Sequence, residues 1–197
     1  MRSKEIANTS LNLEETQFID FAEHTTFNNI RTTYPRVPYL LQDPQEGFFP
    51  DGPRCNDAHM PPLNDGNYAE CNHVLQFEDL ERGWYEIVLI NSNIDGASPP
   101  INQHGGWMWI VGIGQFPSDE IIITKEIIKD RFFKGELQKN TTTTTYYDGP
   151  NVFLKNVVQV PNNGYVITRS RRNNPGTWHF GSGIDFHDAI GMSLSQI

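Results

Sequence analysis

The sequence predicts an all-β sandwich with one short helix, and three features point there. Short apolar runs recur between turn signals, at Tyr85-Glu86-Ile87-Val88-Leu89-Ile90, Trp107-Met108-Trp109-Ile110-Val111, Val152-Phe153-Leu154, Val157-Val158-Gln159-Val160, Tyr165-Val166-Ile167 and Met192-Ser193-Leu194. Strands of this length, separated by residues that let the chain reverse, read as a sandwich or barrel. The 16 Gly and 13 Pro among 197 residues supply the breaks. Only the segment after Thr124 changes to the spacing of an amphipathic helix.

Taken in order, residues 1–26 form an N-terminal arm. Its apolar residues Leu11, Leu13, Phe18, Ile19 and Phe21 follow no regular period, which leaves a short helix or a connecting arm open. From Asn28 to Asp65 the chain is dense in Pro, Asp and Asn and suits an irregular surface excursion. The strands follow from Tyr85 onward. Asn162-Asn163-Gly164 after Val160-Pro161 is a hairpin signal, because Asn and Gly tolerate the positive φ of tight turns. In the helix, Thr124 can cap the start, Ile127, Ile128 and Phe132 share a face, and Gly135 can end it in the left-handed conformation. A helix with one apolar face among strands packs as a lid on the sandwich. Thr141 to Thr145 is a low-complexity linker.

Composition narrows the function classes. With 37% hydrophobic residues the chain can bury one substantial core, so residues beyond the arm make a single domain. A mean hydropathy of −0.51 and the lack of any apolar run near the ~20 residues needed to cross a bilayer argue against membrane insertion. Twenty-four acidic against 15 basic residues give a net charge of −9, which repels a phosphate backbone and disfavours a nucleic-acid partner. The one basic cluster, Arg169-Ser170-Arg171-Arg172, reads as a solvated strand end. The two cysteines, Cys55 and Cys71, can form one bridge in an oxidising compartment, where closing a loop of about 15 residues contributes on the order of 3 kcal/mol; in the cytosol they are free thiols. Met1-Arg2-Ser3-Lys4-Glu5 lacks the apolar core of a secretory signal, which fits either a chain without one or a fragment. Asn8-Thr9-Ser10 and Asn140-Thr141-Thr142 match the glycosylation sequon and tilt the balance towards export.

The end of the chain carries the functional signal. Asn174-Pro175-Gly176-Thr177-Trp178-His179-Phe180-Gly181-Ser182-Gly183-Ile184-Asp185-Phe186-His187, with Gly191-Met192, resembles the C-terminal copper-binding signature of multicopper oxidases. In that signature Asn-Pro-Gly-x-Trp leads into His-Cys-His-Ile-x-x-His and closes on Gly-Met. Asn28-Asn29, Tyr34-Pro35, Cys71-Asn72-His73-Val74 and Val157-Val158-Gln159-Val160-Pro161 are similar to the last domain of insect-type laccases. The resemblance covers residues 27–197 and implies a plastocyanin-like domain, a cupredoxin-like Greek-key sandwich. It also implies a family activity, the copper-dependent oxidation of phenols or metal ions coupled to dioxygen reduction, and an extracellular or secretory location.

The resemblance further implies which positions would hold copper. A blue-copper centre joins a soft thiolate and two imidazoles to a weak axial thioether. The thiolate position falls on Ser182, the second imidazole on His187 and the axial thioether on Met192, five and ten residues on. The family's upstream His-Pro-x-His-x-His-Gly motif looks like Pro99-Pro100-Ile101-Asn102-Gln103-His104-Gly105, which sets Pro99 in place of the first imidazole. The trinuclear cluster would draw on Asn102, His104, Gly181 and Gly183, of which only His104 keeps an imidazole. A hydroxyl supplies no thiolate charge transfer, and Pro and Gly carry no side-chain donor. The surviving positions are thus His104, His187 and Met192, and the expectation is a non-catalytic member of the family holding no copper or one weakly bound ion.

Plainer roles stand beside these. His187 and Met192 suit a packed imidazole and a core thioether, and His104 a solvated side chain. His179 stands where the signature is usually apolar and could join His187 in a makeshift site. Trp107, Trp109, Trp178, Phe180 and Phe186 read as sandwich core. Asp185 matches an acidic position of the signature. No Ser-His-Asp nucleophile, phosphate-binding Gly loop or zinc spacing offers substitute chemistry. Nothing resembles the family's first domain, which shares the trinuclear cluster, so a protein partner or missing oxidase domains are implied. The alternatives are a residual copper-binding module and an interaction or structural module that keeps the fold alone.

Overall fold

The computed structural model describes residues 16–21, 26–34, 54–55, 59–64, 68–75, 83–94, 98–117, 123–137, 145–146, 153–171 and 173–196. Both sequons, Val152, Arg172, the linker at 141–144 and much of the segment between residues 35 and 67 lie outside these. In chain order the strands are β1 (Thr16–Phe21), β2 (Ile30–Thr32), β3 (Arg54–Cys55), β4 (Ala69–Leu75), β5 (Trp84–Asn91), β6 (Pro100–Gln103), β7 (Met108–Gln115), β8 (Thr145–Tyr146), β9 (Phe153–Lys155), β10 (Val157–Gln159), β11 (Gly164–Arg171), β12 (Trp178–Ser182) and β13 (Ser193–Gln196). The helices are α1 (Lys125–Phe133) and α2 (Asp185–Ala189).

Two mixed sheets face each other as a cupredoxin-like Greek-key sandwich. One runs β1-β5-β11-β7-β8 with β9 also on β7, and the other β10-β6-β12-β13-β4-β2 with β3 also on β4. Between them lies the main core. Ile19, Phe21, Ile87, Leu89, Met108, Ile110 and Val166 from the first sheet meet Ile101, Val158, Phe180, Met192 and Leu194 from the second. The first sheet is apolar on its other face too, where Phe18, Val88, Ile90, Val111, Tyr165 and Ile167 pack with Ile128 of α1. That double coverage is why all eight residues of β5 are buried and why its stretch Ile87–Ile90 reads as an unbroken apolar run.

The helix is the expected lid. Thr124 is extended and accepts a hydrogen bond from the Ile127 amide, and Gly135 closes the far end at φ +66°. Phe132 and Phe133 set their edges against Phe18 at 5.4 and 5.6 Å. Phe18 belongs to β1, so part of the segment left open between helix and arm is a strand, paired in parallel along β5 from Thr16↔Glu86 to Phe21↔Asn91. Its pattern is irregular because both faces are covered: Phe18 looks to the helix, while Ile19 and Phe21 look to the second sheet.

Three other expectations need correction. The Asn162-Asn163-Gly164 turn exists, with Asn163 at φ +46°, but it passes the chain from β10 in one sheet to β11 in the other and so joins no hairpin. The basic cluster is only partly solvated. Arg171 is exposed, whereas Arg169 is largely buried with its Nε 2.8 Å from Oε2 of the buried Glu86, to which Thr16 also donates at 3.3 Å. A second helix, α2, was not anticipated; it has five residues and no side-chain cap. Cys55 and Cys71 are joined in a disulfide, Cα atoms 6.1 Å apart, packed with Ile30 beside the second sheet.

Candidate functional site

The signature folds around β12, whose neighbours are β6 and β13. Four residues that shape the backbone are fully engaged. Gly105 adopts φ +72° in the turn after β6, and a Cβ there would overlap the Trp178 indole. The indole Nε1 donates to the Asn174 carbonyl at 2.8 Å, and Asn174 Nδ2 donates to the Gly105 carbonyl at 2.9 Å. Gly191 adopts φ +97°, its carbonyl accepts from the Thr32 amide at 2.9 Å, and a Cβ would stand 2.7 Å from the Thr32 carbonyl. Only glycine fits such close approaches at positive φ. The Asn-Pro-Gly-x-Trp and Gly-Met elements thus pin the turn and the loop that flank β12.

Successive side chains of β12 point to opposite faces. Phe180 and Ser182 face the core side, where Ser182 pairs with Ile101. Ser182 Oγ accepts from the Ile184 amide at 3.2 Å and lies 3.4 Å from His187 Nδ1. The backbone holds the same three positions together: the Ser182 amide donates to the Met192 carbonyl at 3.0 Å, and the Met192 amide to the His187 carbonyl at 2.9 Å. Pro99 is buried two residues before Ile101. Met192, 2% exposed, belongs to the inter-sheet core, and His187 is half-buried on α2. Backbone hydrogen bonds therefore join Ser182, His187 and Met192, and the Ser182 hydroxyl stands beside the His187 ring.

On the other face, Asn102 pairs with Gly181 along β6 and β12. Asn102 Nδ2 lies 3.2 Å from Nε2 of the exposed His104. The His104 amide donates to the His179 carbonyl at 2.9 Å, and the two rings meet edge to face at 5.2 Å. His179 reaches further residues that sequence reasoning missed. Its Nε2 is 3.3 Å from Asp188 Oδ1 and its Nδ1 is 3.4 Å from the Tyr34 hydroxyl. That hydroxyl donates to Asp188 Oδ1 at 2.9 Å and lies 2.8 Å from Ser193 Oγ. Burial pushes the His179 pKa below its ordinary value, Asp188 opposes that shift and His104 adds to it. Tyr34, Asp188 and Ser193 come from three separate elements, so no local spacing could have linked them. The makeshift pairing of His179 with His187 is not what the fold builds: His179 joins His104, and His187 joins Ser182.

The aromatic residues divide. Phe180 is fully buried, Trp109 is half-buried against Trp84 at 5.1 Å, and Trp178 is half-buried. Trp107 and Phe186, expected in the core, are 56% and 68% exposed, because Trp107 sits in the turn before β7 and Phe186 on the solvent side of α2. Asp185 is exposed in the first turn of α2.

These residues do not fit the family's copper centres. Ser182 offers a hard hydroxyl oxygen where a thiolate would be needed, Pro99 offers no donor, and only His187 and Met192 of the blue-site positions can ligate. Gly181 and Gly183 offer none, and Asn102 offers an amide. Among the described residues no group of three or more His, Cys, Asp or Glu is arranged to hold a metal ion, and none of their helices is long and apolar enough to cross a membrane.

Comparison with known proteins agrees with the frame. Rice (Oryza sativa subsp. japonica) Laccase-20 is 24% identical over 91% of this chain, and the iron transport multicopper oxidase FET5 of Saccharomyces cerevisiae is 25% identical over 88%. The chain spans only 30% and 25% of those two proteins. Among solved structures, Fet3p, described as a multicopper oxidase that functions in iron import, superposes over 95% of this chain and 32% of its own with a TM-score of 0.53 at 19% identity. A mutant laccase from B. aclada does so over 96% and 29% with a TM-score of 0.52 at 18% identity, and both are likenesses of fold. The family model described as multicopper oxidase matches residues 36–197, which takes in β12, α2 and every signature position, and the chain belongs to the multicopper oxidase family.

Proposed function

We propose that this chain is a C-terminal plastocyanin-like domain of laccase-like descent that keeps the scaffold of the family and not its copper chemistry. One observation carries the reading. The positions that bend the backbone, Gly105, Asn174, Trp178 and Gly191, are retained and engaged, while the donor positions around them carry Pro99, Asn102, Gly181, Ser182 and Gly183. A frame kept for metal binding would need its donors; a frame kept for folding needs only its turns. Electron entry through a thiolate has no counterpart at Ser182, so oxidation of phenols or metal ions by this chain alone is not expected.

The domain acts together with other protein, either oxidase domains or a separate partner; that the chain spans only 30% and 25% of two relatives it matches supports this reading. An extracellular or secretory location is supported by the Cys55–Cys71 disulfide, which persists in an oxidising compartment. The test is copper content after saturation with copper and exhaustive dialysis. Retention well below one ion per chain, with no laccase turnover, is the expected result. One tightly held ion, lost on His187→Ala, would replace this reading with a residual copper-binding module built on His187 and Met192.

A further inference from the structure

We propose that His179 fills the face of β12 that a side chain at position 181 would otherwise occupy, so that on the His104 side of the site an imidazole from position 179 stands in that space. A Cβ placed on Gly181 would stand 2.8 Å from His179 Nε2 and 3.0 Å from His179 Cε1. Side chains two residues apart on a strand share a face, and Gly181 gives its share to the imidazole. The ring is held there from several sides: Asp188 of α2 at 3.3 Å, the Tyr34 hydroxyl at 3.4 Å and the His104 ring at 5.2 Å. Tyr34 also reaches Ser193 of β13 at 2.8 Å, so one polar knot ties the segment after β2 to β12, α2 and β13. Loss of a side chain at 181 and gain of an imidazole at 179 are in this geometry one change.

This goes beyond the proposed loss of copper chemistry and stands apart from it, since an ion at Ser182, His187 and Met192 would leave it intact. The experiment is a double-mutant cycle on the full chain, read by urea-unfolding midpoints. Gly181→Ala is expected to lower the midpoint in the parent and to lower it less in the His179→Ala background. Some loss should remain, because the added Cβ also meets Ser193 Cβ at 2.8 Å. Equal losses in both backgrounds would overturn the proposal. Should a variant fail to fold, the parent decides: a nuclear Overhauser contact between the His179 ring and the Gly181 Hα protons is expected, and a folded chain without it overturns the proposal.

Discussion

Burial pushes the Asp20 carboxyl up to about 6, against a hydrogen bond from Ser92 Oγ at 3.0 Å and attraction to Lys125, which both favour the charged form. A carboxyl raised in the folded state holds a proton that the unfolded chain has already released. Its contribution to stability is therefore complete below the ordinary carboxylate range and declines as pH rises through about 6. Asp20→Asn removes the titration and keeps an oxygen for Ser92. The variant should gain melting temperature relative to the parent as pH rises from about 4 to about 6, by calorimetry; parallel curves for the two proteins would show that the shift is not real. Nothing in the sequence near Asp20 announces this, since Ser92, Lys125 and Glu126, which act on it, lie after β5 and in the lid helix. Ser182, His187 and Met192 could be linked in the sequence because they stand five and ten residues apart in one continuous stretch. Tyr34, Asp188 and Ser193 were not, because they meet His179 only once the second sheet has assembled.

The elements differ in legibility for a related reason. β5 and β11 were plain in the sequence because an apolar layer covers both their faces. β4, β6 and β12 were not: Asn72 and His73, Gln103, and Ser182 are buried polar residues that interrupt any apolar pattern. Gln103 shows how such a residue is satisfied, accepting from Ser170 Oγ at 3.2 Å and donating to the Tyr85 hydroxyl. The turn between β10 and β11 was legible by residue type, though its role as a sheet-to-sheet crossing was not. Asn163 does more there than accept a positive φ. Its Nδ2 donates to the Phe116 carbonyl at 2.9 Å and its Oδ1 accepts from the Ile123 amide at 3.0 Å, so the turn positions the segment that leads into α1. Asn163→Ala would orphan two buried backbone groups and strain the turn. A loss of roughly 2 to 4 kcal/mol in urea unfolding is expected, and Asn163→Gly should lose less because it relieves the strain. Equal losses would assign the whole effect to the hydrogen bonds.

At the scale of the whole molecule, the sandwich is a three-layer arrangement in which the first sheet is shared between the inter-sheet core and the lid helix. The aromatic residues of the signature test that arrangement, because sequence alone placed all of them inside. Phe180 lies at the centre of the inter-sheet core, fully buried and 6.0 Å from Phe27. Phe186, six residues along the same signature, is 68% exposed on α2. Removing a buried phenylalanine ring costs about 3 to 5 kcal/mol through lost transfer energy and the cavity left behind, which is a large share of the ~5–15 kcal/mol stability of an ordinary domain. Removing an exposed ring should change stability by no more than about 0.5 kcal/mol. Phe180→Ala is therefore expected to unfold at far lower urea or to be recovered unfolded, while Phe186→Ala should match the parent midpoint. A Phe186→Ala loss as large as that of Phe180→Ala would mean that α2 is packed inward. His187 would then be enclosed by that helix rather than half-buried on it.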